Sequence, residues 1–262
     1  AGTDPCHVEI APNGAFVSVA NFASGAVTIF PRDAQGDLQA DKTIFQHEGS
    51  SVHPIRQKGP HAHSSLFAPD CPLMFVPDLG MDKVVAYRYD GASVCVDEDA
   101  TITVERGCGP RYGEFAPNGK DFYLINEIGS RVMHYRYSAG NMTLCEETST
   151  LPYGFTGENI CSDLHITADG KFLYASNRGH DSITAYHILE DGSLAWIECQ
   201  PSGGKTPRNF ALDRTGRYLL AENQDSDNIT VFAIGEDGRL TKQESYAFGS
   251  PVCIRFFKKT AF

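Results

Sequence analysis

The sequence predicts an all-β fold, a β-propeller of four-stranded antiparallel blades, on three observations. A pattern of short apolar runs recurs, with anchor residues 57, 48, 51 and 46 positions apart. Each repeat holds four such runs separated by turn residues, and four strands in roughly 40–50 residues are typical of a propeller blade. A lone blade leaves both faces uncovered, so the repeats must stack on one another. The anchors are Gly14, Cys71, Gly119, Gly170 and Gly216.

The runs can be assigned to strands in chain order. The first strand begins near Pro5, and each later first strand ends shortly before its anchor. The second strand follows the anchor and closes on a polar residue seven positions beyond it. A third run and a weaker fourth run complete the repeat, with turns such as Asp191-Gly192 and Asp237-Gly238 between them. The polar residues are Asn21, Asp78, Asn126, Asn177 and Asn223.

Two stretches depart from the regular repeat. Residues 47–58 lengthen the first interval and are expected to form a loop at one rim. Residues 250–257 match the first strand of a sixth repeat, and nothing follows them to complete it. We therefore expect one partial propeller domain over residues 1–262, with five blades and one strand. The pattern predicts an N-terminally truncated propeller that forms an open arc with an unpaired last strand.

Composition excludes several classes of function. The formal charge is −11, which disfavours binding to nucleic acid phosphates. Apolar runs stay well short of the roughly 20 residues of a membrane span, so no membrane association is expected. The eight cysteines form no CxxC pairs, and we take a cytoplasmic, reducing compartment as the expectation. The sequence carries no signal for an oligomeric state.

The segment 108–135 carries the strongest signal for a functional site. Arg111 lies eight residues before Gly119 and Glu127 lies eight residues after it, on either side of an Asn118-Gly119 turn signal. A paired hairpin would bring both to its open end. The same two offsets in other repeats hold further ionisable residues, which predicts an anion-binding rim at one mouth of the channel. The set is His63, Arg111, Glu127, Arg178 and Arg208.

Other roles for these residues are also consistent with the sequence. Arg111 and Glu127 could form a structural salt bridge between two strands. His61 and His63 would share one face of a strand, as metal ligands do, with Asp78 as the one candidate for a third ligand. Lys205 could contact an anion or be a solvated loop residue.

Six stretches together resemble the lactonase-type seven-bladed propeller family. That family includes bacterial 6-phosphogluconolactonases and carboxy-cis,cis-muconate cyclases. The resemblance implies an active site of His63, Arg111, Glu127 and Arg178, with no metal and no other cofactor. The stretches are residues 56–63 (RQKGPHAH), 76–80 (VPDLG), 154–159 (GFTGEN), 176–181 (SNRGHD), 203–209 (GGKTPRN) and 223–226 (NQDS).

The expected function is hydrolysis of an anionic sugar lactone, with 6-phosphogluconolactone as the substrate, in the pentose phosphate branch of carbohydrate metabolism. Glu127 would be the general base, and Arg111 or His63 would face the developing oxyanion. Arg178 and Arg208 would bind the phosphate, with His61 and Lys205 as further substrate contacts. The alternatives are a carboxymuconate cycloisomerase and a non-catalytic interaction propeller. A protein-binding rim needs exposed aromatic residues, whereas this one is mainly charged.

Overall fold

The computed structural model describes residues 2–256, whose strands form five four-stranded antiparallel sheets. Each sheet is built from four strands that are consecutive in sequence, so the predicted blades are confirmed. The first sheet contains β1 (Pro5–Ile10), β2 (Phe16–Asn21), β3 (Ala26–Pro31) and β4 (Thr43–Gln46). The second contains β5 (Leu66–Phe67), β6 (Leu73–Asp78), β7 (Lys83–Asp90) and β8 (Ser93–Thr103).

The remaining three sheets follow the same order. The third contains β9 (Pro110–Phe115), β10 (Asp121–Asn126), β11 (Arg131–Ser138) and β12 (Asn141–Ser149). The fourth contains β13 (Ile160–Ile166), β14 (Phe172–Arg178), β15 (Ser182–Ile188) and β16 (Leu194–Pro201). The fifth contains β17 (Pro207–Leu212), β18 (Tyr218–Asn223), β19 (Asn228–Ile234) and β20 (Leu240–Ala247), with a 3-10 turn at Gln224–Ser226.

The chain divides into two compact units. The first comprises Ala1–Gly129 with Met133–Cys145, and the second comprises Ser130–Val132 with Glu146–Phe262. Sheets 1 and 2 lie in the first unit, sheets 4 and 5 lie in the second, and strands of sheet 3 belong to both. The expectations of a single domain and of an open arc stay predictions.

Strand β6 shows how the sheets pack within the first unit. Leu73 and Phe75 belong to an apolar cluster with residues of sheet 3, while Met74 and Val76 belong to a cluster with residues of sheet 1. Successive side chains on a strand point to opposite faces, so β6 is covered on both. This explains why its sequence is a continuous apolar run rather than an alternating one. In the second unit, a corresponding cluster joins sheets 4 and 5.

The polar residue at the end of each second strand ties that strand to its neighbours. Asn177 Nδ2 donates to Thr184 Oγ1 (3.1 Å) on β15 and to the carbonyl oxygen of Thr150 (3.0 Å), while Thr150 Oγ1 donates to Asn177 Oδ1 (2.7 Å). Asn21 Nδ2 and Thr28 Oγ1 make the equivalent contact in sheet 1. These side chains are buried, so the contacts satisfy polar groups that water cannot reach.

Two expected strands differ in the structure. His61 and His63 precede β5, which is only two residues long, and a single bridge joins Ala62 to Asp78. Pro77 lies in the facing strand and has no N–H to donate, which limits the ladder there. The expected strand at the two histidines is therefore reduced to one bridge, although both rings pack against Phe22.

The segment assigned to a sixth repeat forms no strand over Pro251–Phe256. The expected first strand of a sixth repeat is therefore not formed over these residues, which belong to none of the five sheets. Phe257, the last residue of that prediction, lies outside the described residues.

Residues 47–58 form the predicted loop. In the anchor turn of sheet 3, five residues separate β9 from β10, and of the pair Asn118-Gly119 only Gly119 has a positive φ. Across the described part of the chain, no helix is long and apolar enough to cross a membrane.

We expect Asn177→Ala to lower the free energy of unfolding by about 1–3 kcal/mol, because it removes buried hydrogen bonds to the Thr150 hydroxyl, the Thr150 carbonyl and the Thr184 hydroxyl. Denaturant titration of both proteins measures the difference. Asn141→Ala, at an exposed position that opens β12, is the matched control and should change little. Equal losses in the two variants would contradict a structural role for the buried amide.

Candidate active site

The residue eight positions before the anchor lies at an irregularity in the pairing of its first strand. In sheet 3, Tyr112 faces Ile125 and Pro110 faces Asn126, so the register shifts at Arg111. Arg208 lies at the same irregularity between Pro207 and Asn209 of sheet 5. A β-bulge redirects a side chain and is common beside active sites. The regular spacing of charged residues thus reflects a repeated feature of the backbone.

The backbone of Gly109 fixes the start of the hairpin that carries the acidic residue. The amide of Glu127 donates to the carbonyl oxygen of Gly109 at 2.7 Å. Gly109 has a φ of +64°, and a Cβ there would come within 2.9 Å of the side chain of Ile128. A larger residue at this position would therefore disturb the segment from which Glu127 projects.

Glu127 forms a cluster with three other side chains of the first compact unit. Arg111 Nη1 lies 2.6 Å from Glu127 Oε2, and Arg56 Nη2 bonds to the other carboxylate oxygen, Oε1. Arg111 Nη1 also contacts His63 Nε2. Glu127 is fully buried and Arg111 is 7% exposed, whereas the side chain of Arg56 is one-third exposed. The hairpin prediction that Arg111 and Glu127 lie together is confirmed.

The contact with Arg111 defines the protonation of His63. A guanidinium has only N–H donors, so His63 Nε2 must accept the hydrogen bond. The imidazole is then neutral and carries its proton on Nδ1. In this arrangement His63 orients Arg111 and has no Nε2 proton to donate to a substrate.

Arg56 is the site residue that the sequence analysis did not assign. It lies in the loop 47–58. This insertion falls outside the repeat pattern, so the spacing of residues does not indicate where its side chains point. The loop is held by contacts of its own residues: His53 Nδ1 accepts from the amide of Arg56 at 3.0 Å, and Gln57 Nε2 donates to Asp82 Oδ1 and to the carbonyl of Leu79, both at 2.8 Å. The signal that could have identified it is an arginine within an otherwise unexplained insertion.

His61 lies beside this cluster, and its ring has other partners. It stacks on Phe22 with ring centroids 4.4 Å apart, and its Nδ1 lies 2.8 Å from the carbonyl oxygen of Phe22. Asp78, the third candidate metal ligand, instead contacts His47 Nδ1 at 2.6 Å. Among residues 2–256, no group of three or more His, Cys, Asp or Glu side chains is arranged to hold a metal ion.

The other predicted residues lie in the second compact unit. Arg178 ends β14 and its Nη2 donates to the carbonyl oxygen of Cys161 at 2.8 Å. Burial lowers the pKa of the Arg178 guanidinium to about 10, which leaves it cationic at neutral pH. Arg208 Nη1 lies 3.3 Å from Gln224 Oε1, so the offsets of minus eight and plus eight again meet. Lys205 is exposed. The convergence of these cations with the cluster around Glu127 stays a prediction.

A second ionisable cluster of the same unit escaped the sequence analysis. Asp163 Oδ2 lies 3.1 Å from His165 Nε2 and also accepts from Asn209 Nδ2. Although burial opposes ionisation, His165 and several hydrogen bonds lower the pKa of Asp163. Glu222 on β18 is fully buried, and burial together with the charge of Asp163 raises its pKa to about 7 against weaker opposing effects of the Ile254 amide, His165 and Arg255.

The chain belongs to the lactonase family of seven-bladed β-propellers, whose model matches residues 1–256. The chain is 35% identical over 218 residues to a 6-phosphogluconolactonase of Bacillus subtilis and 36% identical over 219 residues to one of Formosa agariphila. These matches cover 82% and 81% of this chain, but only 61% and 62% of the two relatives. The chain therefore spans about three fifths of the length of the curated relatives it matches.

A solved structure shows the same fold. The periplasmic gluconolactonase PpgL of Pseudomonas aeruginosa superposes with a TM-score of 0.92 at 32% identity. The match covers 97% of this chain and 73% of that one. The four-stranded sheets described above are therefore blades of a lactonase-type propeller.

We expect Glu222→Gln to raise the free energy of unfolding at pH 8 by on the order of 1–3 kcal/mol, and to change it little at pH 5. A pKa of about 7 in the folded state, raised from 4.5, means that the folded chain holds this proton more tightly than the unfolded chain. The free energy of unfolding of the wild type therefore falls as pH rises from about 4.5 through 7. Glutamine does not titrate, so the variant lacks this decrease.

Denaturant unfolding at the two pH values tests this expectation. Glu236→Gln, which changes an exposed carboxylate of the same unit, is the control. A Glu222→Gln variant that is no more stable than wild type at pH 8 would show that Glu222 is not held protonated.

Proposed function

We propose that this protein hydrolyses a sugar lactone, and that its substrate is 6-phosphogluconolactone, which opens to 6-phosphogluconate. The observation that supports this most directly is the buried carboxylate of Glu127 between two guanidiniums. Such a group combines a proton acceptor with positive charge in one small volume. The relatives named 6-phosphogluconolactonase give the substrate class.

In this proposal Glu127 is the general base. It takes a proton from a water molecule as the water oxygen attacks the lactone carbonyl carbon. The ring C–O bond then breaks, and the same proton passes to the departing alkoxide. The products are a carboxylic acid and a hydroxyl group, and the acid releases its proton to solvent to become the carboxylate. The lactone carbonyl is already electrophilic, so a positioned base and charge stabilisation suffice, and the proposal requires no cofactor.

Arg111 is proposed to stabilise the oxyanion that develops on the carbonyl oxygen. Sequence reasoning left this role to Arg111 or His63, and the neutral Nδ1-protonated form of His63 favours Arg111. His63 would then orient the guanidinium from behind. Preorganised donors of this kind are effective because they need no rearrangement as charge develops.

Arg178 and Arg208 are proposed to bind the phosphate group, with His61 and Lys205 as neighbouring substrate contacts. A planar guanidinium can form two parallel hydrogen bonds to a phosphate. Arg178 retains its charge at neutral pH despite its burial. The partner in this proposal is a small anionic lactone.

A reducing, cytosolic location is part of the same proposal. None of the eight cysteines, all within the described residues, is in a disulfide, which suits a compartment where thiols stay reduced. One solved relative is periplasmic, so the location needs a direct test by fractionation of the source cells.

We expect Glu127→Gln to lower kcat by about 10²–10⁴-fold with a much smaller change in KM, because it removes the base while keeping the shape. The parent must first be shown to hydrolyse 6-phosphogluconolactone, in parallel with carboxymuconate to test the cycloisomerase alternative. Circular dichroism checks that the variant folds, and Glu98→Gln serves as an exposed control. A folded Glu127→Gln protein with full activity would exclude the assigned role.

We expect a strong preference for the phosphorylated lactone over neutral gluconolactone, measured as kcat/KM. Arg178→Ala should erode this preference chiefly through KM, and added salt should weaken it because exposed charges are screened beyond about 8–10 Å. Arg214→Ala, an exposed arginine of the same unit, should leave the ratio unchanged. Equal kcat/KM values for the two lactones in the wild type would make these arginines structural.

A further inference from the structure

The loop 47–58 is fixed to the body of the first compact unit at both of its ends. At its start, His47 Nδ1 lies 2.6 Å from Asp78 Oδ2, and its Nε2 lies 2.6 Å from the Tyr87 hydroxyl. All three side chains are buried. At its end, Gln57 is fully buried and bonds to Asp82. Nine residues lie between the two buried anchors, His47 and Gln57, and ordering so many residues costs more conformational entropy than a short turn would.

The second anchor also supports the hairpin that carries Glu127. Asp82 Oδ1 accepts from Gln57 Nε2 at 2.8 Å and from the amide of Gly109 at 2.7 Å. The carbonyl of Gly109 in turn accepts from the amide of Glu127. One carboxylate therefore sets the position of Arg56 relative to that of Glu127.

The two arginines at Glu127 differ in exposure. Arg111 is nearly buried and also contacts His63, whereas the Arg56 side chain is one-third exposed. The charged groups that face Glu127 are Arg111 from β9 and Arg56 from the loop, with neutral His63 behind Arg111 and Asp82 beyond Gly109. Each of the two guanidiniums bonds to one oxygen of the carboxylate. Glu127 is therefore held ionised, and each of its oxygens has a defined direction.

We propose that Arg56 is a positioning residue for lactone hydrolysis: it orients the Glu127 carboxylate and keeps it ionised below neutral pH. This inference rests on the proposed function of Glu127 as the base. Arg56 acts through Glu127 and takes no direct part in making or breaking bonds. Nothing in the repeat pattern supplies an equivalent residue, because Arg56 comes from an insertion.

The decisive measurement is the pH dependence of kcat/KM for 6-phosphogluconolactone in wild type and in Arg56→Met. Losing one of two neighbouring cations should move the acidic limb of the profile upward by about one pH unit. It should also lower kcat by about 10- to 100-fold at neutral pH, because the carboxylate is less well oriented. Arg56→Lys should restore the acidic limb, since it restores the charge, but should restore kcat only in part, because lysine lacks the planar fork.

Lys58→Met is the matched control, because it removes an exposed cation from the same loop two residues away. It should leave the profile unchanged. If Lys58→Met shifts the acidic limb as much as Arg56→Met does, the effect is a general one of loop charge and the proposal is overturned.

A double-mutant cycle with Glu127→Gln measures the coupling in stability and needs no activity. Arg56→Met should cost less stability in the Glu127→Gln background than in wild type. Coupling in stability with an unchanged pH profile would make Arg56 merely structural and would overturn the proposal. If the wild-type protein opens no lactone, the proposed function is wrong, and so is the positioning role of Arg56 in it.

Discussion

The structure depends on covering both faces of the second strand in sheets 1 to 4. All residues of β6 and β10 are buried, and those of β2 and β14 nearly so. Such a strand can carry ionisable side chains only near its ends or where a partner satisfies them, because an unpaired buried charge is costly. The polar chemistry is therefore concentrated where strands end. That is where Asn177 makes its bonds and where Glu127 follows β10.

Burial of Glu127 is tolerated because its charge is compensated at short range. Breaking a buried ion pair by removing one partner typically costs about 3–5 kcal/mol, since the other charge remains. Here both carboxylate oxygens are occupied by guanidiniums, so the local charge is positive within a chain of net charge −11. Distant acidic residues are screened by salt, whereas close pairs are not, so the local cations decide which ligand this region favours.

The sequence was sufficient to predict the sheets and the pairing within them, because both follow from short-range patterns. The spacing of the anchors located each hairpin, and the offsets of eight brought Arg111 to Glu127 and Arg208 to Gln224. The shortness of β5 could have been foreseen from Pro77, whose missing N–H weakens the facing ladder. Long-range contacts were not predictable in this way. Arg56 and Glu127 are 71 residues apart, and no period relates a loop to a hairpin.

The exchange of asparagine for aspartate in the second repeat connects the fold to this site. Asn21, Asn126 and Asn223 end the second strands of sheets 1, 3 and 5, and Asn177 is the last residue but one in that of sheet 4. Asp78 takes their place in sheet 2, and its Oδ1 accepts from the amides of His61 and Gly80 while its Oδ2 contacts His47. An ionised carboxylate is an acceptor at both oxygens, whereas an amide would present a donor to one of these groups.

The carboxylate of Asp78 therefore provides the acceptor for the first residue of the insertion, His47. His47 begins the loop that carries Arg56, and it is held because Asp78 has an acceptor oxygen to spare. In sheets 4 and 5 the asparagine at this position also bonds to the segment that follows the preceding fourth strand, at the carbonyls of Thr150 and Ser202. In sheet 2 the carboxylate of Asp78 bonds instead to the ring of His47, where the insertion begins. The same substitution that departs from the repeat pattern supports the approach of a second guanidinium to Glu127.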